Sequence, residues 1–333
     1  MSRTANDHGG RMTRRRHLVA GAAALPLAAP RAQRAWPAGP IRFIVSFPPG
    51  GSVDLVARSL QAPLQRILGV PVVVENRTGA SGGIGTGLVV RSAPDGLTFL
   101  LVSDVHAALP ALVPDLPFDS RRDLAPVALI GTAPMMLCAH AARPWRNMAE
   151  LMAAAKAEPH RITCGTSGNG TLAHLVMEMM QQSGGFRTTH VPYRGGAPLV
   201  QAIRAGELDL CIASAAPIGG MVREGVLRPL VQTGATRSTL LPGLQTSAEA
   251  GIAGIDAIAW WCVIAPAAVP PAILDAFHAA LAEALAPAEM RARMLNNLGI
   301  EVSSVSRAEF GAFLNSEFDI WTRVIRERAI RAD

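Results

Sequence analysis

Four times along the 333 residues a short apolar run ends in a glycine- or serine-rich loop that opens a helical pattern. The run 41–47 gives way to Pro48-Pro49-Gly50-Gly51-Ser52, and 72–74 is followed by Gly79-Ala80-Ser81-Gly82-Gly83. Farther on, 161–165 leads into Thr166-Ser167-Gly168-Asn169-Gly170-Thr171, and 188–192 into Tyr193-Arg194-Gly195-Gly196-Ala197. Strand, tight loop and helix in repeated alternation restrict the chain to an α/β architecture in which parallel strands carry helices on both faces. The first turn of a helix leaves N–H groups without intrahelical acceptors, and the helix dipole adds partial positive charge behind them. Glycine lets a ligand approach that backbone closely, and such loops gather at the carboxyl edge of a parallel sheet. The pattern therefore predicts a donor-lined cleft suited to a small anion.

The remaining elements complete two similar α/β units. Helices are predicted over 54–68, 84–92, 148–157, 172–183, 198–205, 218–224, 271–286, 288–298 and 307–331. Further strands are predicted over 98–102, 127–131, 135–139, 209–213, 227–232 and 257–265. Two strand–loop–helix pairs precede residue 140 and two lie between 160 and 206. The expected division is therefore a discontinuous first domain, 36–139 plus 260–333, and a second domain, 140–259. The run 257–265 crosses back, so two crossovers form a hinge and a ligand is enclosed between the units.

Charge argues against a nucleic-acid partner. The net charge is +6, and the first 35 residues hold seven arginines and one acid, Asp7. Of 31 basic and 25 acidic residues, 24 of each remain beyond that leader, so no basic groove is expected. Arg14-Arg15-Arg16, an apolar stretch over 18–29 and small residues before Trp36 have the layout of an export signal, with disordered flanks. Thr13-Arg14-Arg15-Arg16-His17-Leu18 resembles a twin-arginine pattern, although His17 stands where a large apolar residue is usual. About twelve apolar residues are too few to span a bilayer. Cleavage is placed between Ala29 and Ala35, leading to the periplasm.

Other chemistries find less support. Cys138, Cys164, Cys211 and Cys262 each lie in an apolar run without metal-ligand spacing, and buried free thiols are expected; Cys164 and Cys211 could sit on neighbouring strands. Gly168-x-Gly170-x-x-Ala173 matches part of a dinucleotide fingerprint, but no acid stands about 20 residues later, and no Walker lysine follows the loop. No cofactor or metal is expected. Gly79-Ala80-Ser81-Gly82-Gly83 reads as G-x-S-x-G, which admits an exported serine hydrolase with Ser81 as nucleophile and His106, His174 or His190 as base. Against it, Glu75 to Thr78 separate the serine from its strand. Tyr193 with Arg194 is open to two readings, a strand-end tyrosine beside a solvated arginine or a hydroxyl and guanidinium facing an anion. Trp260-Trp261 reads as packing, as does the apolar face Phe310, Phe313, Leu314, Phe318, Trp321, Ile325.

Taken in order, several segments resemble the substrate-binding proteins of tripartite tricarboxylate transporters, the Bug family of periplasmic receptors. They are Trp36-Pro37 with Pro40-Ile41-Arg42, Phe47-Pro48-Pro49-Gly50-Gly51-Ser52-x-Asp54, Val72-Val73-Val74-Glu75-Asn76-Arg77, Pro94-Asp95-Gly96, Ser167-Gly168-Asn169-Gly170-Thr171, His190-Val191-Pro192-Tyr193, Gly206-Glu207-Leu208-Asp209 and Glu249-Ala250-Gly251. The resemblance covers essentially the whole chain beyond the leader. It implies a two-domain type II periplasmic binding protein fold, each domain a mostly parallel sheet flanked by helices with the cleft between them. It also implies a receptor, not an enzyme, that hands a small carboxylate to a membrane permease; the expected partners are a small organic carboxylate or amino-acid-like ligand and that permease, and the protein is expected to be a monomer. Ligand contacts implied by the resemblance fall on Gly50, Gly51, Ser52 and Asp54, on Ser103, Asp104 and His106, on Thr166, Ser167, Gly168, Asn169 and Thr171, and on Tyr193, Gly196 and Ala197. Two departures stand out: Asp104 replaces a small or hydroxyl residue, and Ser214-Ala215-Ala216 lacks the usual acid or amide. Added negative charge at the rim would favour a ligand that also carries an amine or is less acidic.

Overall fold

The computed structural model describes residues 36–113 and 115–327, and the export-signal reading of 1–35 lies outside them. Three strand–helix units come first. β1 (Ile41–Val45) leads into α1 (Ser52–Leu68), β2 (Val72–Asn76) passes through a 3₁₀ turn (Ala80–Gly82) into α2 (Gly83–Val90), and β3 (Thr98–Ser103) runs into α3 (Val105–Leu112). A long strand, β4 (Leu124–His140), and α4 (Met148–Ala157) connect to three more units: β5 (Thr163–Thr166) with α5 (Leu172–Gly184), β6 (Thr189–Pro192) with α6 (Gly196–Arg204), and β7 (Leu210–Ser214) with α7 (Ala215–Arg223). The chain closes with β8 (Leu227–Gln232), β9 (Ile258–Pro266), α8 (Pro271–Leu285), α9 (Ala288–Leu298), β10 (Glu301–Val302) and α10 (Arg307–Glu327).

Local chemistry accounts for these elements. β3 is buried at every position, as expected of a strand covered by helices on both faces. α1 buries Val53, Val56, Ala57, Leu60 and Leu64 at helical spacing and stops at Gly69, whose φ of 68° suits glycine. α5 starts at Thr171, whose hydroxyl caps the His174 N–H. The core centres on β3, β9 and α8, where the Phe99 and Phe277 rings stack 3.8 Å apart and Trp260 and Trp261 are fully enclosed.

The strands form one mixed sheet in the order β2-β1-β3-β9-β4-β7-β5-β6, with β8 and β10 also on β4. β1 runs parallel to β2 and β3, and β5 parallel to β6 and β7, whereas β4 and β9 are antiparallel to their neighbours. Register brings the two parallel sets together. Ser103, at the carboxyl end of β3, pairs with Trp261, and β9 in turn pairs Trp260 with Thr132 and Ile258 with Pro134. The next residue, Met135, pairs with Ser214 at the carboxyl end of β7. The carboxyl edges of both parallel sets thus abut the same stretch of β4, Thr132 to Met135. The return of the chain is pinned there too: Met135 N–H donates to the Thr233 hydroxyl and Thr233 N–H to the Met135 carbonyl, both at 2.9 Å.

Three features differ from the sequence reading. The strands expected over 127–131 and 135–139 are one strand; Pro134 sits where β4 passes from one set to the other, and Pro126 at a register shift, so their missing N–H groups interrupt nothing. α3 forms despite Pro110, which breaks the helical pattern in sequence. α7 begins at Ala215, directly after its strand. The four cysteines are buried and free; Cys164 on β5 does adjoin the Cys211 strand, and burial pushes the Cys211 thiol up to about 12. α10 is described to Glu327, and the remainder of the predicted 307–331 helix lies outside the described residues.

Candidate functional site

Six helices, α1, α2, α3, α5, α6 and α7, begin at the two carboxyl edges that meet at β4. In the first loop, Gly50 takes φ 79°, a left-handed value at which glycine is the natural residue. Its N–H is held by Asp54 Oδ2 at 2.9 Å. Asp54 also accepts from Arg58 Nε at 2.9 Å and Asn76 Nδ2 at 3.0 Å, while the same Asn76 group donates to the Phe47 carbonyl. Burial opposes ionisation of Asp54, but Arg58, the Gly50 N–H and Asn76 outweigh it and hold the carboxyl below its ordinary value. The side chain of Asp54, only 2% exposed, therefore staples the loop from within. Ser52 Oγ receives the Trp261 indole N–H at 3.2 Å. Helix geometry leaves the Ser52, Val53 and Asp54 N–H groups at the mouth, since the first intrahelical bond runs from Leu55 N–H to the Gly51 carbonyl.

The 79–83 turn packs beside this loop. Ala80 and Ser81 have φ of 47° and 50°, and an ideal Cβ on Gly82 would stand 3.2 Å from Ser46 Cβ. A Cβ on Gly85 would meet the Arg77 carbonyl at 2.8 Å, so α2 reaches β1 only because that position is bare. Ser46 is buried there with an unpartnered hydroxyl. Among the described residues, His174 takes the Gly170 N–H, His190 contacts the Thr166 hydroxyl, and both His106 ring nitrogens are buried without partners.

After β3 the expected ligand side chains turn inward. Asp104 N–H donates to the Trp260 carbonyl at 3.1 Å and its side chain is buried. Desolvation pushes the Asp104 carboxyl up to about 7, with the nearby Glu317 charge adding to the rise. Glu317 itself accepts the Trp260 and Trp321 indole N–H groups at 2.8 and 2.9 Å. His106 lies edge-on to Phe318 of α10 at 5.6 Å, and burial holds its imidazole down to about 4. Asp104 and His106 thus face α10, beneath the edge; only the α3 start and Ser103 remain near it.

The second set is more tightly knit. Thr166 is fully buried, with its hydroxyl 2.7 Å from His190 Nε2. Thr171 Oγ1 donates to the Gly168 carbonyl at 2.8 Å, and Gly170 N–H donates to His174 Nδ1 at 3.2 Å. Ser167 and Asn169 are half-buried in the same loop. Tyr193 N–H donates to the Thr166 carbonyl at 2.9 Å and Gly195 N–H to the Ser167 carbonyl at 3.0 Å, which joins the 193–197 turn to the loop. Tyr193 packs on the apolar cluster under α6 and α7; burial and then Glu207 raise its phenol. Gly196 and Ala197 open α6, and Arg194 is exposed.

The two sets touch. An ideal Cβ on Gly170 would stand 2.9 Å from Leu112 Cδ2, at the end of α3. Leu109, on the same helix, lies 3.8 Å from the corresponding point on Gly83. The 166–171 loop, α3 and the 79–83 turn therefore form one continuous wall with the first glycine loop. Two concavities lie apart from it, one of about 300 Å³ beside Lys156 and Arg187 and one of about 460 Å³ between α7 and α9. Neither is lined by these loops. Sequence reading missed the stapling role of Asn76, the buried hydroxyl of Ser46 and the α3 and α7 starts. Of these, only the direct succession of Ser214 and α7 carries a signal, a serine before a helix.

Two groups of strand-to-helix loops facing each other across shared long strands define the class of α/β periplasmic binding proteins. A sequence profile of the tripartite tricarboxylate transporter family receptor, TctC, matches residues 56–330. The chain is 34% identical over 305 residues to protein BugT of Bordetella pertussis, covering 90% of this chain and 93% of that one. Among solved structures, R. palustris Rpa4515 with adipate superposes with a TM-score of 0.81 at 29% identity, covering 89% and 99%. MatC (Rpa3494) from Rhodopseudomonas palustris with bound malate gives 0.77 at 28%, covering 87% and 99%. The chain belongs to the tripartite tricarboxylate transporter receptor family.

Proposed function

We propose that the protein captures a small organic dicarboxylate in the periplasm and delivers it to the membrane permease of a tripartite tricarboxylate transporter. The observation that carries this reading is the meeting of both carboxyl edges at Thr132 to Met135, with Gly170 against Leu112 across the gap. In this reading 36–139 plus 260–333 and 140–259 are two lobes hinged at the β4 and 233–257 crossings. One ligand carboxylate accepts from the first-turn amides of α1, beside Gly50 and Gly51; the other accepts from the Ser167 to Thr171 loop, with Tyr193 to Ala197 behind it. Hydrogen bonds to charged groups contribute about 1.5 to 3 kcal/mol each. A micromolar dissociation constant requires about 8 kcal/mol, so five or six donors suffice after ordering costs. The adipate and malate held by the two relatives are dicarboxylates, which supports the ligand class. Burial of Asp104 removes it from the rim, so a ligand amine is not required by that residue. The leader reading adds export by a twin-arginine signal, and the protein acts as a monomer.

A thermal-shift series from succinate to adipate, with malate, aspartate and monocarboxylates as controls, tests this. At 100 times the dissociation constant a ligand stabilises by about 2.7 kcal/mol, which raises the melting temperature of a body this size by roughly 4–5 °C. A flat response to every dicarboxylate would sink the reading. Against the serine-hydrolase alternative, the three histidines nominated as base are engaged or buried away from Ser81: His174 with Gly170, His190 with Thr166, and His106 under α10.

A further inference from the structure

We infer that His174 is a positioning residue that holds the 166–171 loop in its binding shape only while its imidazole is neutral. The inference rests on the reading of this loop as half of the ligand site. Gly170 N–H donates to His174 Nδ1 at 3.2 Å, so that nitrogen must present its lone pair and the ring proton must sit on Nε2. Gly170 is the residue that meets Leu112 across the gap, at φ 69° and buried, and this hydrogen bond fixes it there. A second imidazole lies directly against the first: the His174 and His190 rings stack 4.2 Å apart at 16°, and His190 Nε2 contacts the Thr166 hydroxyl at 2.7 Å. Both ends of the loop therefore rest on one histidine stack.

Protonation of His174 at Nδ1 turns the acceptor into a donor pointed at the Gly170 N–H, and the bond is lost. Stacking disfavours charge on both rings at once, so the pair takes up one proton before the other. Among the described residues, titratable groups near the pair include Cys164 on β5, the register partner of His190, and Glu178 and Asp209, whose charges act on Cys164; Tyr193 follows β6. Loop order, and with it ligand capture, falls as the pH drops through the imidazole range.

Two ligand-free measurements on the whole protein decide the matter. Hydrogen exchange of the 166–171 backbone, corrected for intrinsic rates, is compared at pH 7.5 and 5.0. The wild type should lose about fivefold protection, the equivalent of one hydrogen bond. His174→Gln, whose amide oxygen accepts without titrating, should keep its protection at both pH values. Equal loss in the wild type and His174→Gln, or no loss in the wild type, would overturn the inference. Independently of any variant, ¹⁵N shifts of His174 at pH 7.5 should show the Nε2–H tautomer; the Nδ1–H tautomer would overturn it. Failure of the carboxylate reading would show in the dicarboxylate screen and not in these readouts.

Discussion

Replacing Gly170 by asparagine should separate binding from stability, because the position sits at the contact between the two groups of loops. Asparagine tolerates left-handed backbone better than most residues, so the φ of 69° costs the fold little, within about 1 kcal/mol. Its side chain, however, starts from a Cβ placed 2.9 Å from Leu112 Cδ2, closer than packed atoms allow, and 3.3 Å from Cδ1, a tight contact. Leu112 is only 7% exposed and must shift or hold the edges apart. Overpacking of this kind costs about 1–3 kcal/mol, and if it falls on the ligand-bound state it weakens binding roughly 5- to 150-fold. Calorimetry with the tightest dicarboxylate of the chain-length series, alongside melting of the ligand-free protein, measures both quantities. The decisive variant is the double substitution with Leu112→Ala, which opens the space again. Affinity should return to within a few-fold of the Leu112→Ala single variant while the melting temperature does not recover. A binding defect that persists unchanged in the double variant, or no defect in Gly170→Asn, would refute the proposed contact across the gap.

Other substitutions probe the supports of the site. Gly51 has an ordinary backbone conformation with the Pro48 carbonyl 3.3 Å from an ideal Cβ, so Gly51→Val should leave ligand-free melting within a few degrees but abolish dicarboxylate binding; retained affinity would exclude the first loop. Asp54→Ala removes the acceptor for Gly50, Arg58 and Asn76 and should cost about 2–3 kcal/mol, read as a lower urea midpoint. Because the native Asp54 carboxyl lies below its unfolded value, its stabilisation is present above about pH 4 and is lost as pH falls through the depressed native value, so the variant and wild type should converge in strong acid. Asp104 has the opposite sign: with its native value raised to about 7, the folded state holds a proton that the unfolded state has released, and stability falls as pH rises. The melting difference between Asp104→Asn and wild type should therefore grow in the variant's favour from pH 5 to 7, at up to about 1.4 kcal/mol per pH unit. A constant difference would show that the carboxyl is not desolvated.

The strand-to-helix loops were readable in sequence because proline, glycine and hydroxyl residues have local physical meanings. Gly50, the Thr171 cap and the α4 and α9 boundaries stand where those meanings place them. The continuity of β4 was hidden, since Pro134 reads locally as a break and only the passage between sheet halves makes its missing N–H harmless. The inward turn of Asp104 and His106 was equally invisible: it depends on α10, whose contact with α3 joins residues some 200 positions apart, as the His106–Phe318 pair shows. Sequence placed Asp54 at the loop, but its three internal partners come from the loop, the helix and β2 together. Spacing along the chain marks where backbone donors gather, whereas the direction of a side chain is set by tertiary packing.

A crystal structure with the tightest-binding dicarboxylate tests the central claim most directly. One carboxylate should lie 2.7–3.1 Å from the first-turn amides of Ser52 to Asp54, and the other at similar distance from the 166–171 loop. A ligand bound to one loop group alone, or seated in the cavity between α7 and α9, would contradict the account.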